Sequence, residues 1–204
     1  MITYNKIDQR KQAFIFELDD VLYPEKDYLL QVYYLFANFI EYTETIPAAE
    51  DLTHFFKKTL SDHGVENIFD RVKEAFGIDE KYRESFLKLH ETAILPLKIL
   101  LFNKILRLMQ EIVIDRKQLF LITNGEPSIQ LNKIRQVEWN GLEKYLTVYF
   151  AQDFASKPET DSLDFLLDKH KFKRKEALII GENQVDEEFA HAAGIDFLNS
   201  AELL

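Results

Sequence analysis

The sequence contains no cysteine, which excludes disulfide bonds and metal sites built on thiolates. It has no run of about 18 uncharged apolar residues, so no membrane-spanning helix is expected. The first residues, MITYNK, lack the apolar core of a signal peptide. These absences predict a cytoplasmic protein, and the lack of cysteine is compatible with a reducing compartment.

Basic residues are also in deficit, because 25 lysines and arginines face 35 acidic residues for a net charge of −10. This balance argues against non-specific nucleic-acid binding, which depends on cations that meet phosphates. No internal repeat and no low-complexity segment is present. The chain is 47% apolar over 204 residues, which is enough for one large domain or for one domain with a sizeable insertion.

Short apolar runs alternate with helical patterns over most of the chain. Candidate strands are residues 13–16, 119–123, 147–150, 177–180 and 195–198. Apolar residues at helical spacing separate the last four runs, over 127–139, 159–170 and 185–193. Strand–helix alternation predicts an α/β fold, with a Rossmann-like parallel sheet covered by helices on both faces.

The first two candidate strands are separated by a much longer gap than the others. A strand–helix–strand crossover needs only about 30 residues in all, and the gap also contains apolar stripes such as Leu29, Val32, Phe36 and Ile40. One interpretation is a set of core helices in a single fold. We favour a helical cap inserted at 24–97, with residues 1–23 and 98–204 forming the core. The aromatic residues of this segment are interpreted as helix packing.

The most informative segment is residues 14–24, FIFELDDVLYP. An apolar strand leads directly into three carboxylates, Glu17, Asp19 and Asp20. Acids at the end of a buried strand are costly unless a cation or a reaction requires them. This segment therefore predicts a functional site.

Three later segments place polar residues near predicted strand or helix ends. They are LITNG with Thr123 and Asn124, SKP with Lys157, and GENQVD with Glu182 and Asp186. Each alone could be an ordinary turn, a solvated lysine or a helix cap. Open α/β sheets, however, bind ligands outside the carboxyl ends of their strands. One pocket could therefore collect residues from all four segments.

The residue types in this set suit phosphoryl transfer. Carboxylate oxygens are ligands for Mg²⁺, and lysine and metal together neutralise a phosphoryl group. One carboxylate can attack phosphorus to form an acyl-phosphate. A second can protonate the leaving group and then activate water. The five histidines show no metal-ligand spacing.

In order and spacing, the four segments resemble motifs I to IV of the haloacid dehalogenase (HAD) superfamily, and the residues after motif I resemble subfamily I members with a helical cap. The resemblance implies catalytic roles for Glu17, Asp19, Thr123 and Lys157, phosphate binding by Thr123, Asn124 and Lys157, and Mg²⁺ binding by Glu17, Asp19, Glu182 and Asp186. Asp19 matches the general acid/base of the family.

Two positions depart from the family pattern. Glu17 stands where the family has its nucleophilic aspartate, and Glu182 replaces the first aspartate of motif IV. The additional methylene displaces a carboxylate by about 1.5 Å if the backbone is fixed. A misplacement of about 1 Å can reduce a rate about a hundredfold. The substitutions could compensate each other in a reshaped site, or mark a site that binds without turnover.

The resemblance implies Mg²⁺-dependent hydrolysis of a small phosphorylated metabolite, with activity reduced by Glu17. A catalytically inactive binding or regulatory protein is the alternative. Dehalogenase-type chemistry is a further alternative, which the acids Glu182 and Asp186 disfavour because it needs no acidic metal site. No nucleic-acid or membrane partner is expected. The sequence indicates neither the substrate nor the oligomeric state.

Overall fold

The computed structural model describes residues 3–204. In that part of the chain the strands are β1 (Ala13–Phe16), β2 (Ile99–Leu100), β3 (Gln118–Thr123), β4 (Val137–Glu138), β5 (Leu146–Phe150), β6 (Ala177–Gly181) and β7 (Asp196–Asn199). The α-helices are α1 (Glu25–Glu44), α2 (Ala49–His63), α3 (Ile68–Phe76), α4 (Arg83–Thr92), α5 (Asn103–Ile114), α6 (Pro127–Gln136), α7 (Asp161–His170) and α8 (Gln184–Ala192). None of these helices is long and apolar enough to span a membrane.

The main sheet is parallel and has the strand order β5-β3-β1-β6-β7. Its central strand β1 reads AFIF, and all four side chains are buried. Strands buried on both faces are expected to read as continuous apolar runs. The predicted α/β fold class with a parallel sheet is confirmed.

The register of the sheet brings the strand ends together. Phe16, the last residue of β1, pairs with Leu121 of β3 and with Ile180 of β6. The residues that follow β1, end β3 and follow β6 therefore emerge at one edge of the sheet. These are the positions of the acidic and hydroxyl residues singled out in the sequence.

Contacts divide the chain into two compact units. The first contains residues 1–24, 99–130 and 137–204, and the second contains 25–98 and 131–136. The predicted insertion, 24–97, differs from the long segment of the second unit by one residue at each end. Residues 131–136 were predicted within the core. They belong instead to the second unit, although they are the last residues of helix α6.

The core of the first unit is an apolar layer between the sheet and its helices. It includes Ile15, Phe120 and Ile179 from the sheet, with Leu166 from α7 and Phe189 from α8. These side chains are at most 3% exposed. Full burial of one large apolar side chain contributes about 1.5–3 kcal/mol. This packing fixes the strands whose ends carry the polar residues.

The second unit contains a cluster of aromatic rings from α1, α2 and α4. The ring centroids of Tyr33 and Phe56 lie 4.7 Å apart, and those of Phe36 and Phe86 lie 5.0 Å apart. Residues 131–136 join this unit through hydrogen bonds from the side-chain amides of Asn132 and Gln136. Both amides donate to the carbonyl oxygen of Ala93, at 3.1 and 3.2 Å. The end of α6 is therefore anchored by its polar side chains.

Most predicted boundaries lie within two residues of those observed. Helix α6 is shorter than predicted, because Val137 leaves the helix to pair with Ile99 in a second, two-residue parallel ladder of β2 and β4. Helix α8 ends at Ala192, and Gly194 follows with a positive φ of 64°. Such a conformation favours glycine and stops the helix.

Candidate functional site

The first site segment is a tight turn that follows β1. Asp20 has a φ of 59°, and its N–H donates to the carbonyl of Tyr23 at 2.9 Å. Asp20 itself is exposed, whereas Glu17 is only 9% exposed. The turn therefore places Glu17 in the interior and presents Asp19 beside it at the edge of the sheet.

Both carboxylate oxygens of Glu17 are occupied by groups of the same unit. Its Oε1 accepts hydrogen bonds from the hydroxyl of Thr123 at 2.5 Å and from the N–H of Leu18 at 2.8 Å. Its Oε2 forms an ion pair with the ammonium of Lys157. Glu17 thus accepts from a hydroxyl, a backbone amide and a cation, which together form an anion-binding set.

Lys157 is shared between two carboxylates. Its Nζ lies 2.5 Å from Oδ1 of Asp186 in addition to its contact with Glu17. Asn124 holds the lysine backbone, because its Oδ1 accepts from the N–H of Lys157 at 2.8 Å and its Nδ2 donates to the lysine carbonyl at 3.2 Å. Asn124, predicted to bind phosphate, therefore positions Lys157 in this structure.

Asp186 is buried against the end of β6. It is 1% exposed, and its Oδ2 accepts from the N–H of Glu182 at 3.1 Å. A Cβ at Gly181 would lie only 2.4 Å from the Cβ of Asp186. Glycine at 181 is therefore required for the close approach of the Asp186 side chain to the strand.

Asp19 is held by the side chains of Tyr23 and Gln130. Its Oδ1 accepts from the Tyr23 hydroxyl at 3.1 Å, and its Oδ2 accepts from Nε2 of Gln130 at 3.0 Å. The same nitrogen of Gln130 is 2.7 Å from Oγ1 of Thr123. Gln130 was not among the residues predicted from the sequence, and it connects Asp19 to Thr123.

Glu182 differs from the other predicted site residues because it is exposed. Its carboxylate makes no hydrogen bond or ion pair with any residue in 3–204, whereas its backbone N–H and carbonyl bond Asp186 and Asn199. The structure thus joins Glu17, Thr123, Lys157 and Asp186 directly, and Asp19 through Gln130. The carboxylate of Glu182 is not part of this network.

The pKa values at this site depend on three buried charged groups, the carboxylates of Glu17 and Asp186 and the ammonium of Lys157. Burial raises the pKa of Glu17, Lys157 opposes this shift, and the nearby Asp186 adds to it. Burial lowers the pKa of Lys157, but the two carboxylates outweigh it, so that the pKa of Lys157 lies above its ordinary value. Lys157 is therefore charged at neutral pH.

A family model described as haloacid dehalogenase-like hydrolase matches residues 14–200, which is most of the chain. The chain belongs to this family. No curated protein matches it significantly. The first and the last of the four site segments, motif I and motif IV, both lie within this matched range.

Solved structures show the same HAD fold. A β-phosphoglucomutase-like protein from Thermotoga maritima is 17% identical with a TM-score of 0.63, over 95% of this chain and 96% of its own. YfnB of Bacillus subtilis, a HAD-hydrolase bound to magnesium, is also 17% identical, with a TM-score of 0.60 over 93% and 88%. A dehalogenase in an intermediate complex is 9% identical with a TM-score of 0.56, over 95% and 86%. At these identities the similarity shows the fold alone.

The residues as placed do not fit a magnesium site. Within residues 3–204, no group of three or more acids or histidines could hold a metal ion. The carboxylates of Glu17 and Asp186 converge on the ammonium of Lys157, and Asp19 is bonded to Gln130 and Tyr23. Magnesium usually takes carboxylates, waters and substrate oxygens in octahedral geometry. The metal roles of Glu17, Asp19, Glu182 and Asp186 therefore stay predictions from the motifs.

Proposed function

We propose that this HAD-like protein is directed at small phosphate monoesters and that its own Glu17 holds turnover low. One observation supports this: the Glu17 carboxylate takes the hydroxyl of Thr123, the N–H of Leu18 and the ammonium of Lys157. These three donors are of the kinds that bind a phosphoryl group. The side chain at the nucleophile position thus occupies the anion site itself.

The length of the glutamate side chain explains this arrangement. An aspartate at 17 would end about 1.5 Å earlier, and the same backbone would then leave the donors of Thr123 and Lys157 available to a phosphate. A phosphate that binds at this site in the wild type has to compete with a carboxylate whose two oxygens already accept hydrogen bonds. Such competition weakens binding and misplaces the attacking oxygen, which can reduce the rate about a hundredfold.

The remaining residues suit a two-step hydrolysis. A carboxylate oxygen at position 17 attacks phosphorus, and the alcohol leaves with a proton from Asp19. Water then attacks the acyl-phosphate and gives a proton to Asp19. This step releases phosphate and restores the carboxylate at position 17. Thr123 and Lys157 bind the phosphoryl oxygens in both steps. The name of the YfnB structure favours dependence on Mg²⁺, whereas the residues as placed do not fit the ion, so this dependence stays a prediction of the motifs and no step here uses a metal.

A catalytically inactive binding or regulatory protein is the second candidate. A specific observation favours it: the described residues contain no group of three or more acids or histidines that could hold a metal, and Lys157 forms ion pairs with the two most buried carboxylates instead. In this case the same pocket would bind an anion without chemical turnover. The two candidates differ in what happens when the glutamate is shortened.

The test compares the wild type with Glu17→Asp on a generic aryl phosphate and on a panel of phosphorylated metabolites, with and without Mg²⁺. We expect slow wild-type turnover and a gain of about a hundredfold in Glu17→Asp, equivalent to about 2.7 kcal/mol of barrier. Glu187→Asp is the matched control, because Glu187 is exposed on α8 and should leave the rate unchanged.

Each other outcome has a distinct meaning. Robust wild-type turnover that Glu17→Asp abolishes would contradict the proposal and show a site adapted to glutamate. No turnover by either protein would favour the inactive candidate. The release of chloride from 2-chloropropionate, without phosphatase activity, would favour the dehalogenase alternative.

A further inference from the structure

Gln130 is a buried amide at the center of the site that no motif of the sequence assigned. It lies on helix α6 in the first unit and is 2% exposed. Its Nε2 lies 3.0 Å from Oδ2 of Asp19 and 2.7 Å from Oγ1 of Thr123. A buried polar side chain with two such contacts is held in a fixed orientation.

The count of hydrogens fixes the direction of each bond. An amide nitrogen carries two hydrogens, and Gln130 donates them to Asp19 and Thr123. Oγ1 of Thr123 accepts from Gln130, so its own single hydrogen remains for an acceptor. The nearer acceptor is Oε1 of Glu17 at 2.5 Å, against 3.2 Å for the carbonyl of Asn124. The hydroxyl of Thr123 therefore points its proton into the anion site.

The same amide orients Asp19. With Oδ2 accepting from Gln130 and Oδ1 accepting from Tyr23, both oxygens of the carboxylate have fixed donors. The loop after β3 passes close to the glutamine, since a Cβ at Gly125 would lie 3.4 Å from Cδ of Gln130, and Gly125 has a φ of 107°.

We infer that Gln130 is a positioning residue that directs the proton of the Thr123 hydroxyl and orients the Asp19 carboxylate for the reaction. The inference rests on the proposed function for its kinetic consequence, but not for its geometry. It predicts that Gln130 acts through Thr123 and Asp19 and touches no substrate itself.

The geometric test uses the side-chain amide signals of Gln130 in a proton–nitrogen correlation spectrum, assigned by their loss in Gln130→Met. We expect Thr123→Val to shift one of the two amide protons and Asp19→Asn to shift the other. The signals of Gln136, which is buried on the same helix and donates to Ala93, should not move. Gln130 protons that ignore both substitutions would overturn the inference.

The kinetic test uses the Glu17→Asp background, in which turnover is expected. Adding Gln130→Met should lower kcat about tenfold, because Asp19 and Thr123 lose the hydrogen bonds that hold their orientation. Adding Gln136→Met, the matched loss of an amide on the same helix, should change kcat less than about twofold if additivity holds for independent sites.

Non-additivity separates positioning from a general effect on folding. In a Glu17→Asp/Thr123→Val background, Gln130→Met should cost clearly less than tenfold, because its target hydroxyl is already absent. An equal cost in both backgrounds, or equal losses for the Gln130 and Gln136 variants, would overturn the inference. If Glu17→Asp shows no turnover, the proposed function fails, and the amide signals alone decide the role of Gln130.

Discussion

The two units bury different kinds of side chain. At the strand ends of the first unit, Glu17, Lys157 and Asp186 are all less than a tenth exposed and form ion pairs. Inside the second unit, Phe36, Phe56 and Phe86 pack ring against ring. The first arrangement has a desolvation cost that only good geometry offsets, whereas the second stabilises by apolar burial and ring packing.

This difference distinguishes residues that form a functional site from residues that stabilise the fold. Buried ion pairs are weak evidence for stability, since apolar residues of equal volume often do as well. The paired charges at the strand ends therefore point to chemistry. The sequence interpretation of the aromatic residues in the insertion as packing fits Tyr28, Tyr33 and Phe36, which are buried, whereas Tyr34 and Tyr42 are exposed.

The largest expected effect comes from removing Lys157, the cation of the two buried ion pairs. Lys157→Met should lower the free energy of unfolding by about 3–5 kcal/mol, because it leaves two buried carboxylates without their cation. Urea denaturation at neutral pH measures the change. Adding Glu17→Gln to Lys157→Met should recover part of the loss. A loss below about 1 kcal/mol, typical of exposed pairs, would contradict the buried arrangement.

The matching effect in the second unit is a pH dependence from His90. Burial lowers the pKa of His90 to about 4, with a smaller contribution from Lys133, and the ring lies 5.3 Å from that of Phe86. Below pH 6.5 the unfolded chain protonates this histidine first, so stability present above pH 6.5 is lost as the pH falls towards 4. The loss should reach about 3 kcal/mol.

This pH effect is measured as a difference between variants. His90→Gln should have a shallower decrease in stability from pH 6.5 to 4 than the wild type, whereas His63→Gln should match the wild type because His63 is exposed. Equal pH profiles for the wild type and His90→Gln would show that His90 is not held neutral by the packing.

A smaller effect is expected where the backbone contacts Asp186. Gly181→Ala should cost about 1–3 kcal/mol, since the new methyl group would overlap the Asp186 side chain and displace it. The control is Ala192→Gly at the end of α8. It should lower the free energy of unfolding by about 1 kcal/mol or less, through helix propensity alone. A stable Gly181→Ala protein in which the Lys157 pair is intact would contradict the close approach.

The smallest effect concerns magnesium. Because the buried carboxylates converge on Lys157, millimolar Mg²⁺ should stabilise the wild type by less than about 0.5 kcal/mol. Thermal melts with and without the ion measure this. A rise in Tm that depends on concentration and disappears in Glu182→Ala would instead support the metal site predicted from the motifs.

Much of the fold was predictable because its strands are apolar runs with polar ends. The run 13–16 matches β1 at both ends, and the parallel order of the sheet follows from strand–helix alternation. The ladder of β2 and β4 could not be predicted, because two residues carry no periodicity. The apolar pattern of α6 is continuous, so nothing in it indicated that residues 131–136 belong to the second unit.

The site was predictable where polar residues stand at the ends of predicted strands and helices. Glu17, Thr123, Lys157 and Asp186 stand out as polar residues at strand and helix ends, and the structure joins them. Gln130 is uncharged and lies within a helix, so no polar residue at a strand or helix end pointed to it. The exposure of Glu182 depends on the path of the loop after β6, which its sequence does not specify.

Inorganic phosphate binding tests most directly whether Glu17 fills the anion site. Calorimetric titration of Glu17→Ala at neutral pH should show phosphate binding with a Kd below about 1 mM, equivalent to about 4 kcal/mol, because Thr123 and Lys157 no longer bond to Glu17. The wild type should show no phosphate binding at about 1 mM phosphate. The double variant Glu17→Ala/Lys157→Met should lose the binding that Glu17→Ala shows. Wild-type binding as tight as that of Glu17→Ala would contradict the account.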